Sequence, residues 1–303
     1  MWGGYKKFDP VKDIPDLSGK VILITGGRWP KSNTTNNHNP THIYLAARTQ
    51  SKAEQAIADI KKDVPDARIT YLPLDLTSFA SIKKAADLFL AQSSRLDLLI
   101  NNAGIMATPP GKTAEGYEIQ FGTNHMGHAL LTKLLLPTLL ETTKHPGADV
   151  RVISITSIAH NFTLFTMTYD QDELNSRHPV SRYALSKLAN VQYARELAVC
   201  YPQITSVSVH PGVISTDVFD NFQNLDFLHR IVVPFMKSWV WANVQDGAKT
   251  QLWATTVSKD KLQNGAYYEP IGVKTLGSVF ARDSKASKKL WDWTQEELIS
   301  KGY

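Results

Sequence analysis

Short apolar runs alternate with longer stretches of helical spacing along most of this chain. The runs lie at residues 21–24, 42–46, 68–75, 96–100, 150–155 and 207–209. Helical spacing covers residues 78–90, about 120–140 and 183–199; Leu130, Leu131, Leu134 and Leu135 form part of the second stripe. Nearly continuous apolar strands suit burial on both faces, and their alternation with helices predicts a doubly wound parallel α/β sheet. No repeat, low-complexity tract or linker divides the chain, so a single domain over residues 1–303 is expected. Ligands of such sheets bind outside the carboxyl ends of the strands. The polar residues that follow each run are therefore the candidates for chemistry.

Tyr183 and Lys187 fall four apart on one helical face. An ammonium beside a phenol favours phenolate, which would bring Tyr183 from about 10 toward neutrality as an acid or base. The run ending in Ser154-Ile155-Thr156-Ser157 adds hydroxyls at the same edge of the sheet. Asn102, Ala103 and Gly104 follow another run as small residues that permit close approach of a ligand. Asp75, Arg48 and Lys52 follow two more.

Composition narrows the classes. Apolar residues make up 43% and charged residues 20% of the 303, the balance of an ordinary globule. The net charge of +5 comes from lysines and arginines dispersed among acids, which argues against a nucleic-acid footprint. One cysteine, Cys200, excludes an intramolecular disulfide and fits a reducing compartment. The N-terminal stretch carries charges and prolines where a signal peptide needs an apolar run. The nearest approach to a membrane span, residues 225–244, is broken by Asp226, His229, Arg230, Pro234 and Lys237. The expectation is a soluble, cytoplasmic protein without a transmembrane segment or a metal, with peripheral membrane contact through residues 225–244 as the minor alternative.

Several pieces recur together. They are Thr25-Gly26-Gly27, Asn101-Asn102-Ala103-Gly104, Asn124 within FGTNHMGH, Ser157, Tyr183-x-x-x-Lys187 and Pro211-Gly212-Val213-Ile214-Ser215-Thr216. In this order and spacing, over roughly residues 18–220, they resemble the short-chain dehydrogenase/reductase family, with a texture similar to fungal and retinol-dehydrogenase-like members. The resemblance implies a Rossmann-like fold and hydride transfer between a nicotinamide cofactor and a carbonyl or alcohol. It implies that Tyr183 is the proton donor and that Lys187 lowers its pKa and binds the nicotinamide ribose. Ser157 would hold the substrate oxygen, in preference to Thr156, and Asn124 a proton-relaying water. Gly26, Asp75, Asn102, Ala103, Gly104, Val213, Ser215 and Thr216 would line the cofactor site, Asp75 toward the adenine amino group. Arg48, with Lys52, sits where an arginine accepts a 2′-phosphate, so the implied cofactor is NADP(H).

The pattern breaks after Gly27. The family's two later loop glycines would fall near Pro30 and Ser32, and the polar stretch from Lys31 to Asn37 carries no apolar stripe for the first crossover helix. Loss of oriented amides there predicts weaker cofactor binding, and loss of the helix predicts apolar surface left exposed on one face of the sheet. A misread exon edge, a genuine loop variant and a non-catalytic binding or scaffold homologue all fit this break. Past Thr216, residues 217–245 hold Phe219, Phe222, Phe227, Phe235, Trp239 and Trp241, an apolar segment suited to a lid over a lipophilic substrate. The fungal texture extends the implication to secondary metabolism. A last helix near residues 288–299 carries Leu290, Trp291, Trp293 and Leu298, suited to packing or to a homo-oligomer interface.

Overall fold

A computed structural model describes residues 8–26, 38–163, 167–212 and 244–303. The apolar runs form strands β1 Val21–Thr25, β2 His42–Ala47, β3 Ile69–Pro73, β4 Leu98–Asn101, β5 Arg151–Ile155 and β6 Thr205–Val209. Two short strands near the C-terminus complete the sheet, β7 Tyr267–Glu269 and β8 Val273–Thr275. The order is β3-β2-β1-β4-β5-β6-β7-β8, with parallel pairs up to β7 and an antiparallel β8. The long helices are α1 Gln50–Asp63, α2 Phe79–Leu90, α3 Gly127–Thr142, α4 Pro179–Cys200, α5 Val244–Thr256 and α6 Ser284–Ser300. The doubly wound parallel sheet expected from the alternation is the observed one.

Side-chain alternation divides the core between the two faces. Leu23, Leu99 and Val152 point into one layer with Ile82, Phe89, Leu131, Leu185 and Leu290. Ile22, Ile24, Ile100 and Ile153 point into the other, with Leu252 and Trp253 of α5. Every residue of β1, β4, β5 and β6 is buried, as a strand covered on both sides requires.

The expected bare face is not found. Ile22, Ile24 and Ile43 are 1%, 1% and 4% exposed and pack with Phe8, Ile14 and Leu17 of the N-terminal segment. That segment is held near the start of β2: Leu17 N donates to His38 O at 2.6 Å, and the His38 ring meets Pro10 O at 3.1 Å. Apolar residues upstream of β1 thus cover surface for which the sequence pattern offered no helix. The expected loss of the crossover helix falls on residues 27–37 and lies outside the described residues.

The helix expected over residues 120–140 arrives in pieces. A short turn, Ile119–Phe121, leads into a π-helical turn, Gly122–Met126, and then into α3. Close packing accounts for the glycine that follows the turn and opens α3: a Cβ at Gly127 would lie 2.6 Å from Leu76 O. Such single π turns inside helices recur at functional sites. Leu290 and Leu298 of α6 are fully buried, Trp291 stacks on Tyr193, and Trp293 packs against Phe121 and Tyr169. The inner face of the last helix is spent within its own chain. Among the described residues no helix is long and apolar enough to cross a membrane.

Candidate active site

The parallel strands point their carboxyl ends the same way, so Gly26, Arg48, Asp75, Asn102 and Ser157, each just past a strand, meet at one edge of the sheet. Two helices then bring the remaining groups to it. The π turn supplies Asn124, and α4 supplies Tyr183 and Lys187.

These four side chains lie close together. The Ser157 hydroxyl is near enough to the Tyr183 phenol to favour its phenolate form. Lys187 Nζ lies 5.7 Å from the centroid of the Tyr183 ring and donates to Ile155 O at 3.1 Å. Asn124 Nδ2 donates to Ser186 Oγ at 2.9 Å, and Ser186 Oγ donates to Tyr183 O at 2.7 Å. Asn124 also clamps Ile105, taking its N–H at Oδ1 and donating to its carbonyl, both at 2.9 Å. Both amide hydrogens of Asn124 are thereby committed, which makes the side chain a strut between the loop after β4 and α4. Ser186, inside the Tyr183–Lys187 stretch, is the link that residue spacing alone did not single out.

The rival hydroxyls separate cleanly. Thr156 Oγ1 donates to Lys187 O at 2.7 Å and is buried, so it fixes the backbone of α4. Ser157 caps the short turn Ile158–Phe162 and turns its oxygen toward Tyr183.

The electrostatics correct one expectation. Burial pushes the Tyr183 phenol up to about 12, against a smaller opposing effect of the Ser157 hydroxyl. Burial also pushes Lys187 down to about 8. The expected lowering of the phenol by the ammonium does not dominate here. Desolvation penalises phenolate and ammonium alike, and the Lys187 hydrogen bond is to a carbonyl rather than to the phenol. Near neutral pH both groups hold their protons.

The loop beside β1 is tightly built. Gly26 has φ +94°, and a Cβ there would lie 3.1 Å from Asn102 Nδ2 and 3.2 Å from Ala103 Cα. Asn102 spends its side chain on the fold: Nδ2 donates to Thr25 O at 2.9 Å and Oδ1 accepts from Gln251 Nε2 of α5 at 3.1 Å. Gly104 is exposed, and a Cβ on it would lie 3.2 Å from both Asn124 Oδ1 and Lys187 Nζ. Backbone therefore passes close to the site with no side chain in the way, a cradle suited to a flat ligand. On the far side, Arg48 and Lys52 are exposed beside Thr49, the N-cap of α1, whose first turn carries no acid. Asp75 Oδ1 accepts from the Thr77 N–H and hydroxyl at 2.9 and 2.8 Å, and so shapes its own turn. Val213, Ser215 and Thr216, with the apolar segment at 217–245 except its end in α5, lie outside the described residues.

Comparison with known proteins agrees with this geometry. The short chain dehydrogenase family model matches residues 20–225. A short-chain dehydrogenase/reductase of Armillaria gallica is 37% identical over 301 residues, covering 95% of this chain and 93% of the relative. Human retinol dehydrogenase 12 is 34% identical over 290 residues, covering 93% and 87%. A crystal structure of a Mycobacterium paratuberculosis protein superposes with a TM-score of 0.69 at 26% identity, covering 94% of this chain and 95% of that one. With strand order and similarity in agreement, this chain belongs to the short-chain dehydrogenase/reductase family of oxidoreductases.

Proposed function

We propose that the protein is an NADP(H)-dependent oxidoreductase that interconverts a lipophilic ketone or aldehyde and its alcohol. The observation that carries the reading is the close group of Ser157, Tyr183, Lys187 and Asn124 at the carboxyl edge of the sheet, opened toward ligand by Gly104. NADP(H), when bound, supplies or receives the hydride. The described residues fit it: the Gly26–Ala103 cradle is backbone-lined, and the Arg48–Lys52 corner offers two cations to a 2′-phosphate with no acid in that helical turn to repel it.

In reduction, Tyr183 donates its phenolic proton to the carbonyl oxygen as negative charge develops there. Ser157 steadies that oxygen by hydrogen bonding, as pre-placed donors do at developing anions. Lys187, holding a proton below about pH 8, supplies positive charge next to the phenol and so favours its deprotonation as the proton leaves. A phenol that keeps its proton up to about 12 is in the donor state throughout the neutral range, which favours the reductive direction. The lipophilic substrate class is supported by the apolar composition of residues 217–245 and by the similarity to a human retinol dehydrogenase. A place in fungal secondary metabolism, an expectation from sequence texture, is carried as part of the same proposal.

Titration of the purified protein with NADPH, followed by nucleotide fluorescence, tests the reading. Saturable binding is expected, and Tyr183→Phe is expected to abolish carbonyl-dependent NADPH oxidation while leaving that binding within about twofold. No saturable binding at millimolar NADPH would move the protein to the non-enzymatic, binding or scaffold reading. An unchanged rate in the phenylalanine variant would remove Tyr183 from its role.

A further inference from the structure

The site contains a buried imidazole that the chemistry above leaves without a task. His128 lies one turn after Asn124 in the first turn of α3 and is 4% exposed. Its Nε2 is 2.8 Å from Thr25 Oγ1 and its Nδ1 is 3.0 Å from the main-chain carbonyl of Asn124. We propose that His128 is a positioning residue: a neutral, Nδ1-protonated imidazole that ties the cofactor loop at the end of β1 to the Asn124 turn. The inference rests on the functional reading above, in that Asn124, Tyr183 and Lys187 are taken as the reacting centre.

The direction of each bond follows from counting hydrogens. Thr25 Oγ1 accepts the N–H groups of Asn102 and Ala103 at 2.9 and 3.0 Å, which occupies both of its lone pairs. Its own hydrogen then has two candidate acceptors, His128 Nε2 at 2.8 Å and Ile100 O at 3.5 Å. Hydroxyl hydrogen bonds fall at about 2.5–3.0 Å, so Nε2 takes it. A ring nitrogen that accepts carries no hydrogen, which leaves the single ring proton on Nδ1, pointed at Asn124 O. The opposite tautomer would strand the Thr25 hydrogen and set an Nδ1 lone pair against a carbonyl. Burial, together with the nearby Lys187 charge, holds the ring at about 4 and so neutral in the physiological range.

One continuous line of hydrogen bonds results. It runs from the amides of Asn102 and Ala103 to Thr25, through His128 to the backbone of Asn124, and through the Asn124 side chain and Ser186 to the backbone of Tyr183. The two halves of the site, the cofactor cradle and the proton-transfer helix, are far apart in sequence and have this line in common. A leucine would fill the same space without desolvating a polar ring. The imidazole supplies a donor and an acceptor at fixed separation, which an aliphatic side chain lacks.

Three measurements on the full-length protein test this. Histidine-selective 15N NMR of the wild type should show His128 protonated at Nδ1, bare at Nε2, and free of titration between about pH 5 and 8. Thr25→Val removes the donor to Nε2, and His128→Asn keeps a donor for the Asn124 carbonyl while losing the acceptor. His128→Asn should lower kcat for carbonyl reduction on the order of five- to tenfold, about the worth of one buried hydrogen bond; Thr25→Val should lower it further, because it also strands the Asn102 and Ala103 amides, and Thr25→Ser should restore it. The double variant should be no slower than the slower single one, because both changes cut the same bond. An Nε2-protonated or titrating His128, or losses that multiply in the double variant, would overturn the proposal. The spectrum reads the wild type alone, so it decides the matter even where a variant does not fold. Wild-type protein that neither binds NADPH nor reduces a carbonyl would sink the functional reading instead. The same double-variant cycle, read in thermal unfolding, would still report on the bond.

Discussion

Replacing Lys187 by methionine should make the protein more stable and inactive. The ammonium is 3% exposed and donates a hydrogen bond to a neutral carbonyl, Ile155 O. Its pKa falls from 10.5 to about 8 through burial. At about 1.4 kcal/mol per tenfold, that displacement corresponds to roughly 3 kcal/mol of penalty on the folded state wherever the lysine is charged in both states. Methionine matches the aliphatic stem and removes the charge. The abandoned carbonyl keeps a partner, since Asn190 Nδ2 donates to Ile155 O at 3.0 Å. The gain at pH 7 should therefore be about 2–3 kcal/mol, or a Tm raised by roughly 5 °C for a domain of this size.

The pH dependence supplies the sharper test. Below pH 8 both folded and unfolded chains hold the Lys187 proton and the penalty is complete. From about 8 to 10.5 the unfolded chain binds the extra proton, so wild-type stability should climb with pH relative to the variant. Tyr183 acts in the opposite sense, because its folded value of about 12 exceeds its ordinary 10, and its contribution fades above pH 10. The difference between wild type and variant should thus narrow between pH 8 and 10 in urea titrations. A Lys187→Met protein that is less stable than wild type at pH 7, or a gap that does not change with pH, would refute the argument that this lysine is held against desolvation.

Other perturbations reach different parts of the molecule. Arg182→Met should cost about 3–5 kcal/mol in chemical denaturation. Arg182 Nη1 donates to Glu118 Oε1 at 2.8 Å with both side chains fully buried, so the change strands a carboxylate that also caps the Ile119–Phe121 turn. Gly26→Ala should lower stability by about 1–3 kcal/mol and weaken NADPH binding. Its φ of +94° disfavours any Cβ, and Asn102 and Ala103 leave little room for one. Arg48→Glu should weaken NADPH binding by about tenfold or more while sparing NADH, measured by parallel fluorescence titrations. Equal losses for both nucleotides would count against the 2′-phosphate assignment.

Much of this molecule is legible in the order of its residues. Six apolar runs, each too short for a helix and too apolar for an exposed strand, mark the parallel strands, and burial in the sheet follows that pattern closely. Tyr183, Lys187, Ser157 and Asn124 are recognisable because their chemistry and spacing are local properties of the chain or of its match to a family. The sequence did not disclose what depends on distant neighbours. Tyr183 is pushed up to about 12 and Lys187 down to about 8 because core closes around both, a desolvation that no spacing of four residues encodes. The bare face inferred from the broken glycine loop is instead buried in one cluster with Phe8, Ile14 and Leu17 of the N-terminal segment and Leu252 and Trp253 of α5. Ser186, Gln251 and His128 join the site through partners 62, 149 and 103 positions away, against Asn124, Asn102 and Thr25 respectively. Periodicity and local chemistry are written along the chain, whereas burial, tautomer and the closing of a hydrogen-bond line are set only when remote segments exclude water from one another.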